Sequence, residues 1–282
     1  MPDFWSAKKA GKKGGLATMK KYGNPGTFKG RINGGLVSQQ KRKLHPELYQ
    51  HCNLRKNILK PRNTTKLAEF FGIVLGDGGI SYRQVVITLN KENDKGYISF
   101  VCGLIKELFG ITPAVYHFRS LKSKKIAGIT ISSTSLVEFL LSKGLKIGNK
   151  VKQQVGVPDW IKNKVGLSKS CLRGLIDTDG GVYFHRHKSH GCQCFNIGLQ
   201  LTNKSIPILT FAEEALKAIG FTPKFNNKRH VNLYREAEVY RYAKEVGFSN
   251  LYHFERVQKF SKIKYGRGAP NGKAHAWKAC AP

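Results

Sequence analysis

The sequence predicts an α+β fold made of two pseudo-symmetric halves, each ordered α-β-β-α-β-β-α, behind a basic N-terminal extension. Three observations carry this expectation. Residues 70–78 read Phe-Phe-Gly-Ile-Val-Leu-Gly-Asp-Gly and residues 172–180 read Leu-Arg-Gly-Leu-Ile-Asp-Thr-Asp-Gly, so one apolar helical string with an internal Gly and a terminal Asp-Gly occurs twice. Other anchors recur at a similar offset: Asp77 and Asp179 are 102 apart, Gly110-Ile-Thr-Pro113 and Gly220-Phe-Thr-Pro223 are 110 apart, and Gly144-Leu145 and Gly247-Phe248 are 103 apart. The offset rises by eight and then falls by seven. The second copy therefore needs a longer first hairpin, around His187–Cys192, and a shorter second one, as expected where cores repeat and loops vary. The third observation is periodicity, which alternates between helical and strand patterns in the same order in both copies.

The elements follow in chain order. Residues 1–63 form the extension: the first 66 residues hold 16 Lys and Arg against only Asp3 and Glu47. Gly14-Gly15-Leu16 and Gly34-Gly35-Leu36 repeat within it. Basic residues interleaved with Gly and single aromatics suit a mobile arm on a phosphate backbone. In the first half, residues 64–147, Thr64 or Thr65 caps a helix whose apolar positions are Leu67, Phe70, Phe71, Val74 and Leu75. Gly78-Gly79 stops that helix. Arg83–Asn90 alternates as a strand, with Val85, Ile87 and Leu89 on one face. A helix over Asp94–Phe109, a hairpin over Ala114–Arg119 and Lys125–Ser132, and a closing helix over Ser135–Lys143 complete the half. Residues 148–167 link the halves, with Pro158 and Trp160 as a packed connector. The second half, residues 168–262, repeats the order: a helix over Ser168–Thr178, strands at Val182–Arg186 and Phe195–Thr202, a helix over Ser205–Ile219, a hairpin at Lys224–Asn226 and His230–Tyr234, and a helix over Ala237–Val246. Residues 263–282 are a tail.

Composition narrows the function. The 282 residues, 40% hydrophobic and 11% aromatic, can bury a core. The net charge of +32 calls for a polyanionic partner, with nucleic acid first because neutralised phosphates release counterions. No apolar run approaches the roughly 20 residues of a membrane span. Six scattered cysteines without a secretory signal fit a reducing compartment. The expected location is a prokaryotic nucleoid, or an organellar matrix or stroma.

The internal glycines Gly72 and Gly174 each cost on the order of 1 kcal/mol relative to Ala, which is tolerated where another backbone must come close. Two motif helices crossing at a pseudo-two-fold axis supply that approach, and they bring Asp77 and Asp179 together at helix ends that carry partial negative charge. The second string is similar to Leu-Ala-Gly-Leu-Ile-Asp-Ala-Asp-Gly, and over residues 64–260 the chain resembles the LAGLIDADG homing endonucleases in their single-chain, two-motif form. The resemblance implies a monomer with a saddle-like β-sheet surface on double-stranded DNA. It also implies a metal site that hydrolyses both strands at a long asymmetric target, and an origin in a mobile intron. The carboxylates Asp77 and Asp179, with backbone oxygens at Gly76 and Thr178, are the expected ligands of Mg2+, a hard ion that Mn2+ or Ca2+ could replace in binding. Asp177 stands apart, because its counterpart is Leu75. Family members often carry a basic group beside the metal water, just after each closing helix. Lys150 occupies that place in the first half, while the second half has no Lys until Lys259, leaving His253 as the candidate.

Two-stranded ribbons fit the major groove, where base pairs differ in donor and acceptor pattern. The expected contacts are Gln84, Thr88 and Asn90 in one half and Asn196, Gln200 and Thr202 in the other. Arg83, Arg119, Lys124, Lys125, Arg186, Lys224, Asn226, Lys228 and Arg229 lie near hairpin tips and could read bases or phosphates. The spacing of His185, His187, His190, Cys192 and Cys194 matches no zinc pattern well, and the run is expected to be a variable loop facing DNA. Intron RNA is an alternative partner, since some proteins of this fold assist splicing, and a catalytically inactive DNA-binding regulator is a further one. An intein is not expected, because the chain starts with Met and ends in Cys280-Ala281-Pro282.

Overall fold

The computed structural model describes residues 7–22, 26–49, 56–117, 125–189, 192–227 and 229–265. The chain divides into two compact units, Met1–Arg55 and Lys56–Pro282.

The first unit holds helices α1 (Ala7–Tyr22) and α2 (Phe28–Leu44). Thr27 caps α2 by accepting the Gly30 N–H at 3.1 Å. The backbone is thus helical through both Gly-Gly-Leu repeats of the basic extension. Lys, Ala, Leu, Gln and Arg outvote the glycines in helix propensity, and Lys20, Lys21, Lys41, Arg42 and Lys43 place positive charge on the last turns, which the helix dipole favours. Neither helix contains an acidic residue, and α2 buries no side chain.

In the second unit, α3 (Thr65–Gly76) starts from Thr64, whose hydroxyl accepts the Leu67 N–H at 3.2 Å. Every side chain from Leu67 to Leu75 is buried. Then come β1 (Gly78–Ile80), β2 (Gln84–Asn90), α4 (Lys95–Phe109), β3 (Ala114–His117), β4 (Ile126–Ser132) and α5 (Thr134–Ser142). Ser133 caps α5 through the Leu136 N–H. The one-turn α6 (Asp159–Lys162) lies in the connector. There Trp160 meets Phe71 edge-on at 5.2 Å and donates its indole N–H to the Lys143 carbonyl at 3.0 Å.

The second half runs α7 (Val165–Asp179), β5 (Gly180–Ser189), β6 (Cys192–Thr202), α8 (Ile206–Ala218), β7 (Lys224–Asn226), β8 (His230–Leu233) and α9 (Glu236–Glu245). The motif helix begins three residues earlier than its apolar pattern indicated. A further helix, α10 (Leu251–Tyr265), was not anticipated; it buries His253, Val257 and Phe260 and packs on β5 and β6.

Each half forms a four-stranded antiparallel sheet, in the order β1-β2-β4-β3 and β5-β6-β8-β7. The shared order is the structural form of the duplication. The β5–β6 ladder has ten paired positions against three for β1–β2, so the longer first hairpin of the second copy is present. One face of each sheet lies in a hydrophobic cluster that extends from Leu67 to Phe260 and joins both halves. Strand alternation turns the other face outward. Among the described residues no helix is long and apolar enough to cross a membrane.

Candidate active site and sheet face

Helices α3 and α7 pack against each other at the centre of the second unit. A Cβ on Gly72 would lie 2.1 Å from the Cys171 carbonyl oxygen, and one on Gly174 would lie 2.4 Å from that of Glu69. The two glycines exist because backbone meets backbone there. Beside this seam the buried Glu69 carboxylate accepts the Arg173 Nε at 3.0 Å, with further contacts from another Arg173 nitrogen and the Ser249 hydroxyl. Arg173 stands where the consensus string has Ala, and this cross-helix ion pair is its structural cause.

The seam delivers the two carboxylates. Asp77 terminates α3; its N–H donates to the Ile73 carbonyl and its carbonyl accepts the Thr88 N–H, each at 3.1 Å. Asp179 is the last residue of α7, and its Oδ2 accepts the Asn203 side-chain N–H at 2.6 Å. Each Asp is followed by a glycine because the helix-to-strand corner leaves no room: a Cβ at Gly78 or Gly180 would sit 2.6 Å from the carbonyl oxygen of Val74 or Ile176. Burial pushes Asp77 up from 3.8 to about 7; the Asp179 charge adds to this and Lys150 opposes it. Asp179 is also raised by burial, against Lys150 and the Asn203 hydrogen bond.

Lys150 lies within electrostatic reach of both carboxylates. Its ammonium donates to the carbonyls of Val74 at 3.2 Å and Leu75 at 2.8 Å, and also to that of Gly76. It neutralises the C-terminal end of α3, where carbonyls lack helical partners. The Gly76 carbonyl expected on the metal is therefore engaged by Lys150. The Thr178 hydroxyl donates to the carbonyls of Gly174 at 2.8 Å and Leu175 at 3.2 Å, and a Cβ on Gly76 would strike it at 2.0 Å. Among the described residues no three His, Cys, Asp or Glu side chains converge on one point. The donors offered to a cation are thus two carboxylates whose burial disfavours two free negative charges, a set that fits a hard divalent ion keeping some of its own waters.

Asp177 points inward. It is 3% exposed, and its Oδ2 accepts the Ser249 N–H at 2.8 Å. Burial holds its carboxyl well above the usual range. His253 follows Gly247 at the interval by which Lys150 follows Gly144. Its ring is buried between Phe248 and Tyr252 and bonds to the Asp177 carbonyl.

On the outward sheet faces, Gln84 and Thr88 are exposed in the first half and Asn90 is half-buried. The Asn90 amide oxygen closes its own turn, accepting the N–H groups of Glu92 and Asn93 at 2.9 and 3.1 Å. Arg83 is exposed in the β1–β2 turn, and Lys125 pairs with Glu92 at 3.0 Å. In the second half, Asn196 faces outward opposite His185. Gln200 donates to Asn232 at 2.9 Å, and the Thr202 hydroxyl meets His230 at 2.9 Å. Asn226 donates to the Tyr234 hydroxyl at 2.5 Å, while Lys224 and Arg229 are exposed. Arg186 lies on the opposite face from these. It pairs with Phe195 across the ladder and stacks its guanidinium 5.3 Å from that ring, on the side covered by α10, because even-numbered β5 residues share the face of buried Val182. Arg119, Lys124 and Lys228 lie outside the described residues.

The same alternation sets His185 and His187, expected in a variable loop, on a paired strand in line with Tyr183, which the sequence analysis did not assign. Tyr183, His185 and His187 form a ring row on the outward face, with centroids 5.7 and 5.3 Å apart. Tyr183 lies over Gly198, where a Cβ would meet its ring at 2.4 Å. Asn203 belongs to the site and exposed Tyr116 to this face, while Asn232 is buried beneath Gln200. Strand parity was the available signal for the ring row; Asn203 carries no local signal.

No family model matches the chain. Among curated proteins, an A-type ATP synthase subunit of Pyrococcus abyssi (strain GE5 / Orsay) is 27% identical over 157 residues, 56% of this chain; the match spans 13% of that protein's length. Among solved structures, the chain is similar to the meganuclease I-SmaMI bound to uncleaveable DNA (TM-score 0.48, 12% identity, 75% of this chain and 95% of that one). It is similar to the LAGLIDADG meganuclease I-AabMI bound to uncleaved DNA (0.47, 10%, 70% and 89%). It is also similar to the N-terminal LAGLIDADG domain of DUF199/WhiA (0.44, 15%, 70% and 89%). Two motif helices packed through glycine, a carboxylate ending each, and two sheets of one strand order make this chain a tandem duplication of one helix-and-sheet unit.

Proposed function

We propose that the protein is a metal-dependent, site-specific endonuclease that makes a double-strand break in DNA, acts as a monomer, and is encoded with a mobile intron. The observation that carries the reading is the electrostatically coupled Asp77–Asp179 pair at adjacent helix ends, with Lys150 in reach of both. Asp77 and Asp179 would hold the metal. Bound there, Mg2+ supplies Lewis acidity and a water of lowered pKa. The chain's own groups do the rest. Asn203 orients the Asp179 carboxylate, and Lys150 neutralises the α3 end so that a phosphate diester meets less negative charge. The outward faces supply polar groups at strand spacing for a major groove, and a net charge of +32 supplies phosphate neutralisation. Unequal first hairpins point to an asymmetric target.

The test is cleavage of a randomised duplex library with Mg2+, with EDTA, and with Asp179→Asn. Breaks at one sequence that need both metal and Asp179 are expected. The net charge equally suits a second reading, an RNA-binding splicing assistant. Tight binding to structured RNA or to one DNA site, without any cleavage, would favour that reading or a DNA-binding regulator.

A further inference from the structure

The second sheet carries a part that the first lacks. Strand β6 pairs with β8 only from Leu199 to Thr202, yet it pairs with β5 back to Cys192. The stretch from Tyr183 to Ser189 and its partners from Cys192 to Gly198 therefore run beyond β8 as a two-stranded ribbon, a shape that a major groove admits. On its outward side stand Tyr183, His185 and His187, opposite Gly198, Asn196 and Cys194. The two imidazoles are not alike. His185 is half-buried, and its Nδ1 is shut from solvent without a partner. Burial and a neighbouring His187 charge both lower its pKa, so its ring stays neutral. His187 is exposed and lies along that ring, with centroids 5.3 Å apart and planes 20° from parallel. A charge on His187 thus rests beside a neutral ring rather than a second charge. The other groups around it supply no counter-charge: Cys194 is its partner on β6, Arg186 and Lys188 fall on the opposite strand parity, α10 packs on the covered side, and the four strands of this sheet contain no Asp or Glu.

We infer that His187 selects guanine in the half of the target under the second sheet, binding the base as an imidazolium, so that the chain takes up one proton as it binds. This rests on the DNA-binding part of the proposed function. Imidazole is the side chain that changes charge between pH 5 and 8. Neutral, it offers one donor and one acceptor and suits adenine or guanine; protonated, it has donors only. Guanine alone presents two acceptors on its major-groove edge, whereas adenine presents an acceptor and a donor. The proton comes from solvent and adds to the free ring nitrogen, and no bond in the DNA changes. The first sheet has no counterpart. Its outward positions, from Gln84 and Thr88 to Tyr116 and Ser132, carry no imidazole or ammonium. Sequence choice is therefore sensitive to pH in one half of the target alone.

The experiment uses the full chain in EDTA, which keeps the strands intact: selection from a randomised duplex library at pH 6 and at pH 8, then binding titrations on the recovered duplex. Guanine is expected at one position of one half-site at pH 6, with adenine joining it at pH 8. Affinity for the guanine duplex should fall by about tenfold between the two pH values, and affinity for its adenine counterpart by less than about threefold. His187→Gln, at an exposed position, should prefer adenine at both pH values and leave the other half-site unchanged. Comparing two duplexes on one protein cancels the titration of Asp77 and Asp179, which is common to both. One base preference at both pH values, a pH effect equal for the two duplexes, or a guanine preference that survives His187→Gln overturns the inference. Those results leave the endonuclease reading intact. The absence of any selected sequence also overturns the inference, and joined to an absence of cleavage with Mg2+ it overturns both.

Discussion

Replacing Asp77 by Asn in the metal-free protein is expected to stabilise it, and only above mildly acidic pH. The folded-state pKa of Asp77 lies near 7 against an ordinary 3.8, chiefly through burial and the neighbouring Asp179 charge. The native state therefore holds a proton that the unfolded state releases between those values, and stability falls as pH rises from about 4 to about 7. A raised carboxylate pKa costs nothing below the unfolded value and costs its full amount above the folded one. At 1.36 kcal/mol per pKa unit, the penalty at pH 8 is at most about 4 kcal/mol, and partial solvent contact reduces it to about 2–3 kcal/mol. Asn removes that charge. In EDTA, the variant is thus expected to melt roughly 5–10 °C higher than the parent at pH 8, and within about 1 °C of it near pH 4. Thermal melts at several pH values provide the assay, and the difference between the two proteins isolates Asp77 from other titrating groups. Saturating Mg2+ should close the gap at pH 8, since an ion bound only to the native parent adds about 2.7 kcal/mol at a hundred times its Kd. A variant no more stable than the parent at pH 8 in EDTA would refute the claim that burial disfavours the Asp77 charge.

Further outcomes follow from the same geometry. Gly174→Ala should lower stability by about 1–3 kcal/mol despite the gain of roughly 1 kcal/mol in helix propensity, because its methyl meets the Glu69 carbonyl; a higher melting temperature would show that the helices are not in backbone contact. Arg173→Ala leaves the buried Glu69 carboxylate without its cation and should cost about 3–5 kcal/mol, largely recovered by adding Glu69→Gln; urea melts of the two singles and the double measure the coupling. Deleting residues 1–55 should weaken DNA binding and flatten its salt dependence, about 0.9 log unit per lost phosphate contact, with the cut site unchanged. A shifted cut site would assign those helices a role in sequence choice.

Much of the architecture was legible because it depends on near neighbours. The string at residues 172–180, the recurring Gly-x-Thr-Pro corners and the alternation of Val85, Ile87 and Leu89 each encode their own local geometry. The glycines at 72 and 174 announced a close approach, since nothing within a single helix requires them. In the first unit lysine, alanine and leucine favour helix, and the backbone is helical through the glycines. Helix α10 was missed because its buried positions, His253, Val257 and Phe260, are sparse among charged residues.

The sequence by itself determined two matched halves, two helix-terminal carboxylates and a net charge of +32. Only the tertiary structure decided which groups attend those carboxylates. It put Lys150 on the α3 carbonyls, Asn203 on Asp179, Glu69 against Arg173, and Arg186 on the covered side of its strand. Helix and strand patterns follow from the order of adjacent residues. A hydrogen bond between residues about a hundred positions apart exists only once the shared core has set the angle and depth at which α3 and α7 meet.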